Sequence, residues 1–190
     1  MTIPHLPFYF IRHGETDWNR SNRIMGQTDI PLNETGIIQA HEAKELLRKM
    51  AFGRIWSSPL QRARQTAEIV KENSFYPIDY KEYLKERGWG QGEGQFHEAL
   101  LDFRGKELNE ANLPEGAEPY KAFEKRVIRA FTEILTESAE QPPLVVGHGG
   151  IFWILTKLLA NSSLPAENCT LYFFRPPEHP SHPWFIRLLS

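Results

Sequence analysis

The sequence predicts an α/β fold, a three-layer α/β/α sandwich around a mostly parallel central sheet. Two observations carry this. Short apolar runs of strand length alternate with longer stretches of helical periodicity, the pattern of parallel strands joined by crossover helices. Three of the runs stop abruptly at an arginine, a serine or a histidine next to polar or glycine-containing residues. Strands end in this way where they reach the ligand-binding edge of such a sheet. A length of 190 residues suffices for a core of its own. No internal repeat, linker or low-complexity tract divides it, so residues 1–190 are expected to form a single domain.

Residues 6–11 read as the first, buried strand, ending at Arg12-His13-Gly14. Residues 12–33 are too polar and irregular for a regular element, and a loop of that length points to function. Asn33 is an N-cap for a helix over 34–50, with Ala40, Ala43, Leu47 and Met50 at helical spacing. Gly36 is a poor helix former near its start. Gly53 breaks this helix, and Arg54-Ile55-Trp56-Ser57 forms a second strand.

Ser58 at the N-cap and Pro59 at the first helical position open a helix to about Asn73, with Ala63, Ala67 and Val70 on its apolar side. Arg62 falls in its first turn, where the helix dipole disfavours a cation. A guanidinium placed among helix N-terminal N–H groups makes an anion site. Ile78-Asp79-Tyr80 is a third strand. Gly88, Gly90, Gly92 and Gly94 make residues 81–96 a loop, and residues 97–118 carry no clear pattern.

Pro119 to Glu137 is a helix with Phe123, Val127, Ala130, Phe131, Ile134 and Leu135 on one side. Leu144-Val145-Val146, followed by Gly147-His148-Gly149-Gly150, repeats the opening pattern of strand, histidine and glycine. The helix after it, Ile151 to Ala160, is apolar nearly all round and is expected to be buried. Residues 169–174 and 184–189 read as two closing strands, joined by a proline-rich loop that carries His179 and His182.

Composition narrows the function. A formal net charge of −2 argues against a general nucleic-acid binder but allows a locally basic pocket. Cys169 is the only cysteine, so no intrachain disulfide forms, and its apolar, strand-like surroundings make it a buried small hydrophobe. No apolar stretch is long enough to span a bilayer, and residues 1–7 lack the pattern of a signal peptide. The expectation is a cytoplasmic protein without membrane partners. No group of His, Cys and carboxylates has metal-ligand spacing, so no metal or cofactor is expected. The oligomeric state is not readable.

Arg12 and His13, Arg62, and His148 each lie just past a predicted strand end. Parallel strands bring such ends to one edge, so residues more than 130 positions apart in sequence can share a pocket. Two arginines and two histidines with nearby glycines suit a phosphate, which arginine binds bidentately. Glu86, in the glycine-rich loop, could supply an acid.

These residues also carry a resemblance. Arg12-His13-Gly14-Glu15-Thr16 with Trp18-Asn19 resembles the defining signature of the histidine phosphatase superfamily, the phosphoglycerate mutase-like group. Gly26-Gln27-Thr28-Asp29-Ile30-Pro31-Leu32 with Gly36 resembles its substrate-loop motif. Ser57-Ser58-Pro59 with Arg62-Ala63 and Gln65-Thr66-Ala67 resembles its second-arginine motif. Leu84-Lys85-Glu86-Arg87 with Gly90 and Glu93-Gly94 resembles the acid-bearing segment. Val146-Gly147-His148-Gly149-Gly150 resembles the second-histidine motif, with Gly147 where serine is frequent.

The resemblance implies a phosphoglycerate mutase-like fold and a mechanism. His13 would be the nucleophile, forming a phosphohistidine through a neutral imidazole whose other nitrogen is held by a backbone carbonyl. Arg12, Arg62 and His148 would hold the transferring phosphoryl group with help from Asn19. Glu86 would serve first as acid and then as base. Gly26, Gln27 and Gly149 would line the phosphate and substrate side.

The expected substrate is a small phosphomonoester. Mutases of this family look longer after the acid residue, where extra cations bind a second anionic group. Here residues 91–118 are short, with Arg104 and Lys106 against Glu93, Glu98, Asp102, Glu107, Glu110, Glu115 and Glu118. This favours hydrolysis over mutase chemistry. A non-catalytic phospho-ligand-binding module is the remaining alternative. Trp18, Met25, Trp89 and Phe96 could be apolar walls for a larger organic group or simply core.

Overall fold

Phe8–Arg12 (β1) is the strand from which the sheet is assembled in the computed structural model, which describes residues 2–72, 74–96, 113–179 and 181–189. Its neighbours are Leu144–Gly147 (β4) on one side and Leu171–Arg175 (β5) on the other. Ile55–Ser57 (β2), Ile78–Tyr80 (β3) and Phe185–Leu189 (β6) complete the order β3-β2-β4-β1-β5-β6. The block β3-β2-β4-β1 is parallel, while β5 and β6 are antiparallel to their inner neighbours. The mostly parallel sheet expected from the sequence is thus observed, with an antiparallel flank.

Alternation along β1 creates the layers. Phe8 and Phe10 face one core, with Phe123, Val127 and Phe131 from Tyr120–Glu137 (α4) and Ile151 and Phe152 from Gly149–Ala160 (α5). Ile11 faces the other core, with Ala43 and Leu47 from Glu34–Leu47 (α2) and Ala63, Ala67 and Val70 from Gln61–Lys71 (α3). Phe8 stacks on Phe174 with ring centroids 4.5 Å apart, which ties β1 to β5 through aromatic faces.

Asn33 caps α2 as expected, its side chain accepting from the Gly36 N–H at 2.9 Å. The poor helix former Gly36 has a packing reason: a Cβ there would collide with the backbone carbonyl of Glu15. This close approach locks the loop after β1 onto the start of α2.

Several local expectations need correction. Residues 12–33 contain a short helix, Asp17–Arg20 (α1), closed by a Thr16/Asn19 capping box. The helix expected from Ser58-Pro59 begins at Gln61, because the Leu60 backbone is extended (φ −65°, ψ 138°) and serves as N-cap, while the Ser58 hydroxyl accepts from the Leu60 N–H (3.3 Å) and contacts His148. It ends at Lys71, and Asn73 lies outside the described residues. The helix expected from Ile151 begins at Gly149, and it is not buried all round, since Lys157 and Leu158 are exposed.

Cys169 precedes β5 rather than starting it. Its φ is 52°, a left-handed conformation incompatible with continuing the strand, and it is half-buried. Burial pushes its thiol up to about 12, so it is an inert thiol at neutral pH. Residues 82–84 and 90–92 form single 3₁₀ turns inside the expected loop. Glu98, Asp102, Arg104, Lys106, Glu107 and Glu110 of the acidic segment lie outside the described residues. Among the described residues, no helix is long and apolar enough to cross a membrane.

Candidate active site

Register decides what meets at the sheet edge. Arg12 pairs with Gly147 and Ser57 with Val146, so β1, β4 and β2 end level. Two further ladder-like bonds extend the pairing by one residue, from His13 N–H to the Gly147 carbonyl (3.0 Å) and from Ser58 N–H to the Val146 carbonyl (3.1 Å). Arg12, His13, Ser58 and His148 therefore leave the sheet side by side.

His13 is 2 % exposed and held in one orientation. Its Nδ1 lies 2.7 Å from the Gly14 carbonyl oxygen. A carbonyl can only accept, so Nδ1 carries the proton and Nε2 keeps a lone pair. Burial drives the ring well below the ordinary histidine value, and the Arg62 and Arg12 guanidiniums reinforce this. The His148 ring lies 5.2 Å away, centroid to centroid, and burial and Arg62 lower its basicity in the same way. Its Nε2 is 2.8 Å from Ser58 Oγ, and its Nδ1 is buried with no hydrogen-bond partner.

Both arginines are tethered by backbone oxygens instead of carboxylates. Arg12 Nη1 donates to the Ala166 carbonyl (2.7 Å). Arg62, fully buried in the first turn of α3, donates through Nη1 to Thr28 O (2.9 Å) and through Nη2 to Gly26 O (2.8 Å). Carbonyl tethers orient a guanidinium without neutralising it, so the positive charge stays available. Burial lowers Arg12, and it pulls Arg62 down to about 10 against the opposing charge of Glu86. The Nε of each is buried with no partner.

Glu86 faces this group from the loop after β3. Its Oε2 accepts from the Gly150 N–H (2.9 Å) in the first turn of α5, and its Oε1 from the Arg87 N–H (2.7 Å). A Cβ on Gly150 would collide with the Glu86 carboxylate, which explains a glycine there. Arg126 of α4 fixes the segment. Its Nη1 donates to the Tyr83 (2.9 Å) and Lys85 (2.7 Å) carbonyls and its Nη2 to the Glu86 carbonyl (3.2 Å). The same guanidinium forms a two-point pair with Glu118 at 2.9 and 2.6 Å.

A second carboxylate, Glu93, organises the opposite loop. Its Oε1 accepts from the Gln27 and Trp89 N–H groups (2.9 and 3.0 Å). Its Oε2 accepts from the N–H (2.9 Å) and hydroxyl of Thr28. Gly26 adopts φ 54°, and a Cβ there would strike Glu93. The loop whose carbonyls hold Arg62 is itself pinned by Glu93.

Arg12, His13, Asn19, Gly26, Arg62, Glu86 and Gly149 line one cavity of about 500 Å³. Asn19 Oδ1 is spent on the Thr16 cap, which leaves its Nδ2 as the available donor. His148 lies beside His13, is fully buried and is not among the lining residues. Gln27 is exposed and outside the lining, and its amide donates to the Glu86 carbonyl (3.1 Å). Of the candidate apolar walls, Met25 and Trp89 line the cavity, whereas Trp18 packs beneath Gly94 and Phe96 is 47 % exposed under Arg23.

Sequence reading missed the Ser58 bond, the Arg126 clamp and the Glu93 pin. Each joins segments far apart in the chain and has no periodic signal. Only the Ser57-Ser58-Pro59 and Glu93-Gly94 motifs hinted at the first and last.

Two carbonyl-tethered guanidiniums and two neutral imidazoles thus meet at the carboxyl edge of an α/β sheet, positive charge beside an unprotonated ring nitrogen, an arrangement chemically suited to an anion. Residues 8–173 match the histidine phosphatase superfamily (branch 1), and the chain belongs to that family. It is 36 % identical over 149 residues to a protein named uncharacterized phosphatase PhoE from Bacillus subtilis, covering 78 % of this chain and 75 % of that one. It is 34 % identical over 179 residues to one named probable phosphoglycerate mutase GpmB from Yersinia pestis, covering 87 % and 83 %. Among solved structures, a mycobacterial glucosyl-3-phosphoglycerate phosphatase in complex with VO3 superposes with a TM-score of 0.79 at 27 % identity, over 96 % of this chain and 98 % of the other. The α-ribazole phosphatase of Shigella flexneri shares the fold, with a TM-score of 0.79 at 24 % identity over 97 % and 96 %.

Proposed function

We propose that the protein is a metal-independent phosphomonoesterase that acts on a small phosphorylated metabolite of the cytoplasm through a phosphohistidine at His13, with residues 1–190 working as one domain. The observation that carries this is the His13 ring, held neutral with Nδ1 on the Gly14 carbonyl and flanked by two buried guanidiniums.

In this reading Nε2 attacks phosphorus in line. The P–O ester bond breaks as the P–N bond forms, and Glu86 gives its proton to the leaving oxygen. Arg12, Arg62, His148 and Asn19 stabilise the charge spread over the phosphoryl oxygens, the main demand of a loose transition state. Water then attacks the phosphohistidine, Glu86 takes a proton from that water, and inorganic phosphate leaves with His13 regenerated. Gly26, Gln27 and Gly149 support the rim of the site, Gln27 through the Glu86 carbonyl.

The relation to GpmB makes transfer between substrate hydroxyls the second reading. The test is phosphate release from a panel of phosphomonoesters, with and without chelator, beside a phosphoglycerate isomerisation assay. The proposal expects chelator-resistant release that exceeds isomerisation and is abolished in His13→Ala. Isomerisation exceeding release would make the protein a mutase. Release that survives in His13→Ala would remove the phosphohistidine, and silence in both assays would favour a phospho-ligand-binding module.

A further inference from the structure

The cavity lining is of two chemical kinds. Arg12, His13, Arg62 and Glu86 supply its charged groups and the neutral histidine. Met25, Trp89, Tyr120, Phe123, Trp153 and Leu164 add apolar wall from five separate segments of the chain. Tyr120 and Trp153 meet edge to face, with centroids 5.7 Å apart and planes at 78°. Lys157 braces them from outside, its Nζ 3.1 Å from the Tyr120 hydroxyl and 4.8 and 5.0 Å from the two ring centroids.

The other two cations of the lining, Arg87 and Arg23, are already laid on rings. The Arg87 guanidinium lies 4.5 Å from the Trp89 ring centroid and donates to the Glu118 carbonyl (2.8 Å). The Arg23 guanidinium lies 4.3 Å from the Phe96 centroid and donates to the Gly94 carbonyl (2.8 Å). A second anionic group on the substrate would have to compete with these contacts, whereas an apolar group would extend them. A cavity of about 500 Å³ is the size of a small-molecule site and is larger than a phosphoryl group alone requires.

Resting on the phosphomonoesterase reading, we propose that the preferred substrate is the phosphate ester of an alcohol carrying an aromatic or similarly flat apolar group. The phosphoryl end would sit on Arg12, His13 and Arg62, and the ring between Met25, Trp89, Tyr120 and Trp153. A single methylene in an apolar pocket already discriminates by roughly 10–200-fold.

The test separates binding from turnover. Calorimetry compares 3-phenylpropylphosphonate with propylphosphonate, two non-hydrolysable anions that share the same charged end. The phenyl compound is expected to bind at least about tenfold more tightly. Trp153→Ala and Tyr120→Ala should each shrink that ratio, and using two variants guards against one failing to fold. Equal affinities, or a ratio unmoved by both variants, would overturn the proposal.

Turnover of 2-phenylethyl phosphate and ethyl phosphate, whose leaving groups are both primary alkoxides, should show the same preference in kcat/KM. A phenyl preference in binding without phosphate release from either ester would retain the aromatic pocket and overturn the hydrolase reading, and with it the assignment of this class as substrates.

Discussion

His148 Nε2 lies 2.8 Å from Ser58 Oγ, a bond between buried residues at the ends of two adjacent strands. Ser58 Oγ also accepts from the Leu60 N–H at 3.3 Å, which leaves its own proton for His148. A Ser58 proton donated to Nε2 puts the His148 proton on Nδ1. Ser58→Ala is expected to lower stability by about 1–3 kcal/mol, because a buried ring nitrogen loses its partner. Urea denaturation measures this, and an unchanged midpoint would show that the bond contributes nothing.

Stability should fall on acidification. His13 and His148 are held neutral in the folded protein, with proton affinities well below the ordinary value of 6.5. In the unfolded chain they protonate as pH drops through about 6.5. Below that pH the unfolded state binds more protons, so stability declines by up to about 1.4 kcal/mol per pH unit for each ring until the folded-state value is reached. The urea midpoint should therefore be lower at pH 5.5 than at pH 7.5. In a His13→Gln/His148→Gln double variant this difference should shrink, and a slope left unchanged would contradict the assignment.

Glu86→Gln should slow hydrolysis of alkyl phosphates by about 10²–10⁴-fold, since general acid catalysis is worth that much where the leaving oxygen needs a proton. An aryl phosphate with a good leaving group should be affected far less. Equal slowing of both would take the acid role from Glu86.

Arg126 is expected to act as a positioning residue through the same carboxyl. It donates to the Tyr83, Lys85 and Glu86 carbonyls, so Arg126→Gln should reproduce the leaving-group dependence of Glu86→Gln in weaker form, about tenfold on alkyl esters. Arg126→Lys should restore little, because a single ammonium cannot replace the planar fork that meets Glu118 at two points. Uniform loss across all substrates would mark Arg126 as a purely structural residue.

Gly150→Ala tests how tightly the acid is held. The added methyl would occupy the place of the Glu86 carboxylate. Turnover of alkyl phosphates should fall by at least about tenfold, while the far-ultraviolet circular dichroism stays that of the parent protein. Unchanged turnover would mean that the carboxylate moves aside without consequence.

The sequence by itself determined the elements and the edge at which chemistry gathers. Periodicity located α2 through Ala40, Ala43 and Leu47, and α4 through Phe123, Val127 and Phe131. Apolar runs ending in Arg12-His13 and Gly147-His148 marked the carboxyl ends of β1 and β4. These features are local: a hydrophobic stripe or an abrupt change of polarity is written in neighbouring residues. Boundaries proved less legible where a side chain had a distant partner. Ser58-Pro59 carries a helix-start signal, yet α3 begins at Gln61 with the Ser58 hydroxyl turned to a histidine ninety residues away in sequence.

Only the tertiary structure decided how the site is held and what its far wall is made of. The Arg126 clamp on the Glu86 segment, the Glu93 pin on the loop that tethers Arg62, and the meeting of Tyr120 with Trp153 all join segments separated by dozens of residues. Pairs of this kind leave no trace in spacing, because they depend on strand order and register. The packing of α4, α5 and the loops over the sheet brings them within reach, and short-range contacts, such as hydrogen bonds that act over about 3 Å, then select the partners.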